Sequence, residues 1–157
     1  MGKNFDREMA KRVWERVQTA QPEVSAQPID HKDLLQQLIL EEWQQAQVYT
    51  QLMRQLPAKQ SATVKKLYEQ KKAQIDCLKG IYRLVAGSPA QVHGVAPKQE
   101  SAIIQLRKCY GRQMRCLAKY EAKTQDPEYG SVYAGLAGQN RNHCQILLEL
   151  LGAMAKL

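Results

Sequence analysis

Four pairs of polar residues interrupt apolar helical patterns in this chain, and the members of each pair stand three positions apart. Positions three apart face the same side of a helix. If four helices turn these sides toward one another, the eight side chains form one polar layer inside an apolar core. Buried polar groups are unfavourable unless they bond with one another or with a ligand. This layer is therefore the main candidate for a functional site. The pairs are Glu42 with Gln45, Lys71 with Gln74, Gln113 with Cys116, and Asn140 with His143.

This predicted layer contains one basic residue, Lys71, and one acidic residue, Glu42. In one interpretation, the Lys71 ammonium is buried and paired with Glu42, because a lone buried charge is strongly unfavourable whereas a hydrogen-bonded pair is tolerated. Gln74, Gln113 and Asn140 would then satisfy the remaining donors and acceptors. In the other interpretation, the helix is rotated slightly and Lys71 is an ordinary surface lysine.

His143 and Cys116 allow three kinds of chemistry. Together with Glu42 they are acceptable ligands for a single zinc ion, although the nearby Lys71 would repel a metal. Cys116 assisted by His143 is a conceivable nucleophile, but the sequence offers no third group to orient the pair. The simplest interpretation is a core histidine with a satisfied hydrogen bond beside a small buried thiol.

The polar layer is repeated within the chain. Glu42 lies seven residues before Tyr49, and Gln113 lies seven residues before Tyr120. The two halves repeat at a distance of about 70 residues, which predicts two helical hairpins related by pseudo-symmetry. We expect both tyrosines to be core residues whose hydroxyl groups bond to the polar layer.

Helical periodicity and end signals predict five helices around these residues. A short one covers residues 5–20, and residues 21–28 form a linker with two prolines. Four long ones follow: from just after Asp30 to just before Pro57, from 61 to Gly87, from about 98 to 124, and from Asp126-Pro127 to about 156. The segment between the second and third long helices has two prolines and is long enough to cross the end of a bundle. Three glycines within the last helix predict close packing on a neighbouring helix or, alternatively, a small cavity.

From residue 30 to 157, the chain resembles the ferritin-like superfamily, and within it the rubrerythrin-type di-iron proteins. The resemblance implies an all-α, ferritin-like up-down four-helix bundle with one long crossover at residues 29–157, preceded by an N-terminal helix and linker at residues 1–28. In that family, each hairpin supplies a Glu from one helix and Glu-x-x-His from the other. These positions match Glu42, Gln113, Lys71 with Gln74, and Asn140 with His143, and the family's tyrosines match Tyr49 and Tyr120.

Only Glu42 and His143 have the residue type of a di-iron ligand among those six positions. Iron needs carboxylates to balance its charge, so we expect a ferritin-like protein with a degenerate metal site, no cofactor, and a non-catalytic structural or binding role. The resemblance also implies an alternative, a metal-dependent oxidoreductase acting on peroxide or oxygen with iron or manganese. A mononuclear zinc site is a further possibility.

The composition limits the partners that we expect. The net charge of +8 allows weak attraction to nucleic acid, but the basic residues are spread over the chain, so a basic accessory protein that binds nucleic acid is the less favoured alternative. No apolar run is long enough to cross a bilayer, and residues 1–21 lack the apolar block of a signal peptide. We therefore expect a cytoplasmic protein with reduced cysteines. The apolar face of the N-terminal helix, with Trp14 and Val17, makes a homodimer plausible.

Overall fold

The structure, a computed structural model, describes residues 29–156 and is all-α within that range, with four helices and no strand. The helices are α1 His31–Gln55, α2 Ala58–Ala86, α3 Ala102–Glu121 and α4 Gly130–Ala155. This all-helical arrangement fits a four-helix bundle. The helix predicted at residues 5–20, and the dimer contact predicted through it, lie outside the described residues.

The ends of α1 and α2 follow from local backbone preferences. Asp30 holds the N-cap position of α1, although its side chain makes no capping hydrogen bond. Leu56 is extended, with φ −84° and ψ 152°, because a following proline disfavours the helical region. The predicted start of α2 at residue 61 is wrong: the helix begins directly after Pro57, since the fixed φ of proline suits a helix start. α2 ends before Gly87, whose φ of 76° is left-handed and favours glycine.

α3 begins at residue 102, later than the predicted start near residue 98. The preceding segment is held along α1 instead of continuing the helix. Gln51 Nε2 donates to the backbone oxygen of Pro97 at 2.8 Å, and Gln55 Nε2 donates to that of Glu100 at 3.0 Å. Ser101, in an extended conformation, becomes the N-cap residue.

Asp126 caps the chain ahead of α4, but the helix itself begins four residues further on. Its Oδ1 accepts the backbone N–H groups of Glu128 at 2.9 Å and Tyr129 at 2.7 Å, which closes a turn rather than the first turn of the helix. Gly130 then starts α4 at a point where an added Cβ would collide with the backbone oxygen of Thr124. Glycine is needed there for this close approach.

The four helices pack as two hairpins, α1 with α2 and α3 with α4. Between the hairpins, α1 packs against α3, whereas α2 and α4 make fewer contacts with each other. The segment at residues 87–101 joins α2 to α3 and runs along α1, where Gln36 Nε2 donates to the backbone oxygen of Gln91 at 2.7 Å. We call it the crossover segment.

Two separate apolar clusters form the core, and each one draws residues from all four helices. One contains Leu38, Leu78, Tyr120 and Leu136. The other contains Leu52, Leu67, Leu106 and Leu147. On each helix, the residues at alternating steps of three and four on either side of a polar pair form an inward stripe. The stripes are buried except at two ends, Val85 and Met154, which are partly exposed. They run from Leu35 to Leu56, from Val64 to Val85, from Leu106 to Tyr120 and from Tyr133 to Met154. The eight predicted polar residues are buried and belong to neither cluster, apart from Cys116 in the first.

The prediction that the glycines of α4 allow close packing on a neighbouring helix is wrong for Gly135 and Gly138. Nothing lies within 4 Å of where a Cβ on Gly135 would be, and Gly138 meets only an arginine of its own helix. Gly135 instead lines a cavity of about 200 Å³ between α2 and α4, together with Ala73 and Cys77. Gly135 therefore fits the alternative prediction, a small cavity beside the helix.

Two further expectations concern the chain as a whole. All four cysteines are free, in agreement with the prediction of reduced thiols. Over residues 29–156, none of the helices combines the length and the apolar character needed to cross a bilayer.

Candidate functional site

The Lys71 ammonium lies at the centre of the polar layer and is fully buried. Its Nζ donates to side-chain oxygen atoms from all four helices, one of which is its own. An ammonium has three protons, so two of the four acceptors share one donor. The acceptors are Gln74 Oε1 at 2.6 Å, Gln113 Oε1 at 2.7 Å, Glu42 Oε2 at 3.1 Å and Asn140 Oδ1 at 3.3 Å.

Glu42 is the carboxylate of the layer, and both of its oxygen atoms accept hydrogen bonds. Oε1 accepts from Gln113 Nε2 at 2.8 Å, and Oε2 accepts from the Tyr120 hydroxyl at 2.8 Å as well as from Lys71. Burial alone would raise the pKa of Glu42, but the positive charge of Lys71 and the hydrogen bonds from Gln113 and Tyr120 outweigh it and lower the pKa. The Glu42 carboxylate is therefore ionised at neutral pH.

His143 lies in the same layer but turns one ring nitrogen away from its centre. Its Nε2 is 2.8 Å from Gln70 Oε1, so Nε2 carries the proton in the neutral ring. Its Nδ1 is buried and has no hydrogen-bond partner among residues 29–156. Burial and the charge of Lys71 lower the pKa of His143 to about 4. The imidazole is therefore neutral at physiological pH.

Cys116 is an inert thiol in this arrangement. Its Sγ donates to Glu41 Oε2 at 3.2 Å, and Glu41 also accepts from Lys119 Nζ at 2.9 Å. Burial raises the pKa of Cys116 far above its usual value, and the carboxylates of Glu42 and Glu41 raise it further. A thiol that stays protonated is a poor nucleophile, so this environment does not favour the alternative in which Cys116 is a nucleophile.

Gln45 and Tyr49 form a smaller contact beside the central network. Gln45 Nε2 donates to the Tyr49 hydroxyl at 3.0 Å and to the backbone oxygen of Cys109 at 3.3 Å. Arg112 Nη1 in turn donates to Gln45 Oε1 at 3.0 Å. The two tyrosines at matching positions therefore differ, since Tyr120 contacts the carboxylate and Tyr49 contacts an amide.

Four contacts at the rim of the layer follow one rule that sequence reasoning missed. Each contact joins two adjacent helices. On one helix it uses the second residue of the polar pair, and on the other it uses the residue just before the polar pair. The signal was visible in the sequence, because a polar residue directly precedes each of Glu42, Lys71, Gln113 and Asn140. The contacts are Cys116 with Glu41, Gln45 with Arg112, His143 with Gln70, and Gln74 with Gln139.

The donor set does not fit a pair of iron ions. Glu42 is the layer's single carboxylate, and its neighbours Gln113 and Asn140 are neutral amides, whereas iron sites of this kind need several carboxylates. An ammonium already holds the position where these oxygen atoms converge. Among residues 29–156, no three His, Cys, Asp or Glu side chains are grouped closely enough to bind a metal together. Two of the three residues considered for a zinc ion bond elsewhere, since Cys116 donates to Glu41 and His143 Nε2 lies against Gln70.

No family model, no curated protein and no solved structure matches this chain. Over residues 29–156, the fold and the site are those of an all-α unit of four long helices with a buried Lys71–Glu42 ion pair at the centre of its core.

Proposed function

We propose that this chain is a ferritin-like bundle, related to the rubrerythrin type, in which the Lys71 ammonium replaces the metal ions, and that it has a non-catalytic structural or binding role. One observation carries the proposal: Lys71 Nζ has oxygen acceptors on all four helices. The crossover segment, which joins α2 to α3 along α1, supports the single long connection of that fold.

The charge balance of the layer supports a permanent internal cation. One buried ammonium faces one buried carboxylate at 3.1 Å, so the layer is neutral without any ion from solution. Breaking such a pair leaves an uncompensated buried charge, which is strongly unfavourable. A metal ion entering the layer would have to displace or deprotonate Lys71 while gaining a single carboxylate ligand, Glu42.

Catalysis is also poorly supported by the individual side chains. Acid–base and nucleophilic roles need a group whose pKa lies near the working pH or that is activated by a neighbour. The pKa of His143 is too low for this, and the pKa values of Tyr49 and Tyr120 are raised well above their usual value by burial. The hydrogen bonds of the layer are directed at one another, which suits a role in holding four helices in register.

The deciding experiment is the metal content of untagged protein, measured by elemental mass spectrometry after incubation with iron, manganese and zinc. We expect substoichiometric metal and a melting temperature that a chelator does not change. The matched control is Lys71→Glu combined with Gln113→Glu, which restores carboxylates at two of the family's ligand positions and is expected to bind metal.

Two outcomes would contradict the proposal. A pair of metal ions per wild-type chain, with peroxide- or oxygen-dependent turnover lost on chelation, would establish the alternative of a di-iron or di-manganese oxidoreductase. One zinc ion per chain, lost in a His143→Ala variant, would establish the mononuclear alternative built on Glu42, Cys116 and His143.

A further inference from the structure

A second feature lies on the outer side of the Lys71–Glu42 pair, where α1 and α2 meet the solvent. Trp43 and Lys72 directly follow the two paired residues in sequence and line a groove of about 270 Å³. Tyr68 and Gln47 lie along the same groove, with Asp76 and Lys79 further along α2. We call this the α1–α2 groove, and its chemistry differs from that of the inner layer because it combines two aromatic rings with exposed charges.

The aromatic wall of the α1–α2 groove is held in place by its neighbours. An added Cβ on Gly94 of the crossover segment would lie 3.0 Å from the Trp43 ring, so this segment packs against the indole. Lys72 Nζ lies 4.7 Å from the centre of the Tyr68 ring, a distance typical of a cation–π contact. Trp43 is partly buried rather than covered, which leaves ring surface beside the groove.

The charges of the α1–α2 groove favour an anion. Lys72 and Lys79 are seven residues apart on one side of α2, about 10 Å along the helix. Neither lysine is in an ion pair within the described part of the chain. Asp76 lies between them, so the three charges leave a net positive groove that also has one acceptor for a donor group on the ligand.

We propose that the α1–α2 groove binds a small aromatic anion, with its ring against Trp43 and its phosphate or carboxylate group held by Lys72 and Lys79. A volume of about 270 Å³ lies just below the range of about 300–1,000 Å³ common for ligand sites. The size therefore fits one ring system with one anionic group, such as a nucleoside monophosphate. At the edge of the ring, Asp76 would accept a hydrogen bond and Gln47 would donate or accept one.

This proposal deepens the binding role proposed above, but it can be tested without reference to the metal content. Trp14→Phe leaves Trp43 as the one tryptophan, so its fluorescence reports directly on the α1–α2 groove. We would titrate this protein with adenosine monophosphate, adenosine and inorganic phosphate, and repeat the nucleotide titration by calorimetry. We expect saturable quenching by adenosine monophosphate and at least about tenfold weaker binding of the other two probes, since each keeps one half of the interaction.

Charge variants separate the groove from general electrostatic attraction. Lys72→Gln with Lys79→Gln should weaken the binding of adenosine monophosphate at least about tenfold. Lys59→Gln with Lys66→Gln is the matched control, because it removes two exposed lysines that are also seven residues apart on α2 but do not line the groove. That variant should bind as the parent does.

Three results would overturn the proposal. The first is the absence of saturable binding of adenosine monophosphate. The second is equal weakening in both lysine variants, which would indicate attraction to net charge alone. The third is equal binding of inorganic phosphate and the nucleotide, which would exclude a role for Trp43. Circular dichroism melting of each variant confirms that the comparison is made on folded protein.

Discussion

The two helical hairpins supply matching positions to the polar layer but contribute different charges to it. In the α1–α2 hairpin these positions hold Glu42 and Lys71, which pair at 3.1 Å. In the α3–α4 hairpin the equivalent positions hold Gln113 and Asn140, which are neutral amides that accept hydrogen bonds from Lys71. The second hairpin therefore solvates an ion pair that belongs to the first.

The rim of the layer shows the opposite behaviour, because there the hairpins are equivalent. Glu41 of the first hairpin bonds to Cys116 of the second, and Arg112 of the second bonds to Gln45 of the first. The same exchange links α2 with α4, where Gln70 bonds to His143 and Gln139 bonds to Gln74. The pseudo-symmetry expected from the sequence repeat thus persists at the rim and is lost at the centre.

This difference indicates what the centre does for the fold. A buried ion pair adds little net stability over well-packed apolar residues, but removing one partner is strongly destabilising. The amides of the second hairpin can reach the ammonium only when all four helices are in register. We infer that the layer selects one arrangement of the two hairpins, while the apolar clusters on either side supply most of the stabilising free energy.

The largest expected effect comes from breaking the ion pair on one side. Lys71→Met keeps a long side chain but leaves Glu42 buried without its cation, and we expect a loss of about 3–5 kcal/mol in the free energy of unfolding. Urea denaturation followed by circular dichroism measures it. The control is Lys71→Met combined with Glu42→Gln, which removes both charges and should be more stable than Lys71→Met alone. A single variant within about 1 kcal/mol of the wild type would show that the pair is not coupled.

A smaller effect is expected from His143, which differs from Gln74 at the matching position of the first hairpin. An unfolded histidine binds a proton below its ordinary pKa of 6.5, whereas folded His143, with a pKa of about 4, stays neutral. The unfolded state then binds more protons, so this contribution to stability is complete above pH 6.5 and declines as the pH falls toward 4. We expect the wild type to lose on the order of 2 kcal/mol over this window from His143 alone.

His143→Gln tests that linkage by copying the first hairpin into the second. The variant keeps a group that can bond to Gln70, and its free energy of unfolding should fall less steeply than that of the wild type as the pH is lowered from 7 to 5. Urea titrations at several pH values provide the measurement. His93→Gln, which removes an exposed imidazole, is the matched control and should run parallel to the wild type. Parallel curves for His143→Gln as well would rule out the proposed linkage.

Sequence periodicity predicts one buried face of each long helix but not every buried residue, since Leu34, Ile39 and Val48 of α1 are buried beside that face. The inward stripe of α1, from Leu35 through Glu42 to Leu56, is buried along its whole length, because a three–four spacing identifies one helical face. Helix starts were predicted less well. α3 begins after residue 98 because Gln51 and Gln55 hold the preceding backbone, and such tertiary contacts leave no local signal in the sequence.

The partners within the site were only partly predictable, for a similar reason. That Glu42 and Lys71 both face inward follows from periodicity, but the direction of each hydrogen bond depends on side-chain rotamers and on the height of adjacent helices. His143 illustrates the limit. Its position in the layer was predicted, whereas its bond to Gln70 rather than to the centre follows from the geometry of α2 against α4.

The smallest expected difference is the one between the losses at the equivalent tyrosines of the two hairpins. Tyr120→Phe removes a hydroxyl that donates to the Glu42 carboxylate at 2.8 Å, and hydrogen bonds to charged groups contribute about 1.5–3 kcal/mol. Tyr49→Phe removes an acceptor for Gln45 Nε2, which keeps its bond to the Cys109 backbone, so a loss of about 1 kcal/mol is expected. Each substitution removes one hydroxyl from a buried ring, so each is the control for the other in urea denaturation. Equal losses would mean that the carboxylate end of the layer has no energetic advantage, and the asymmetry between the hairpins would then be one of geometry alone.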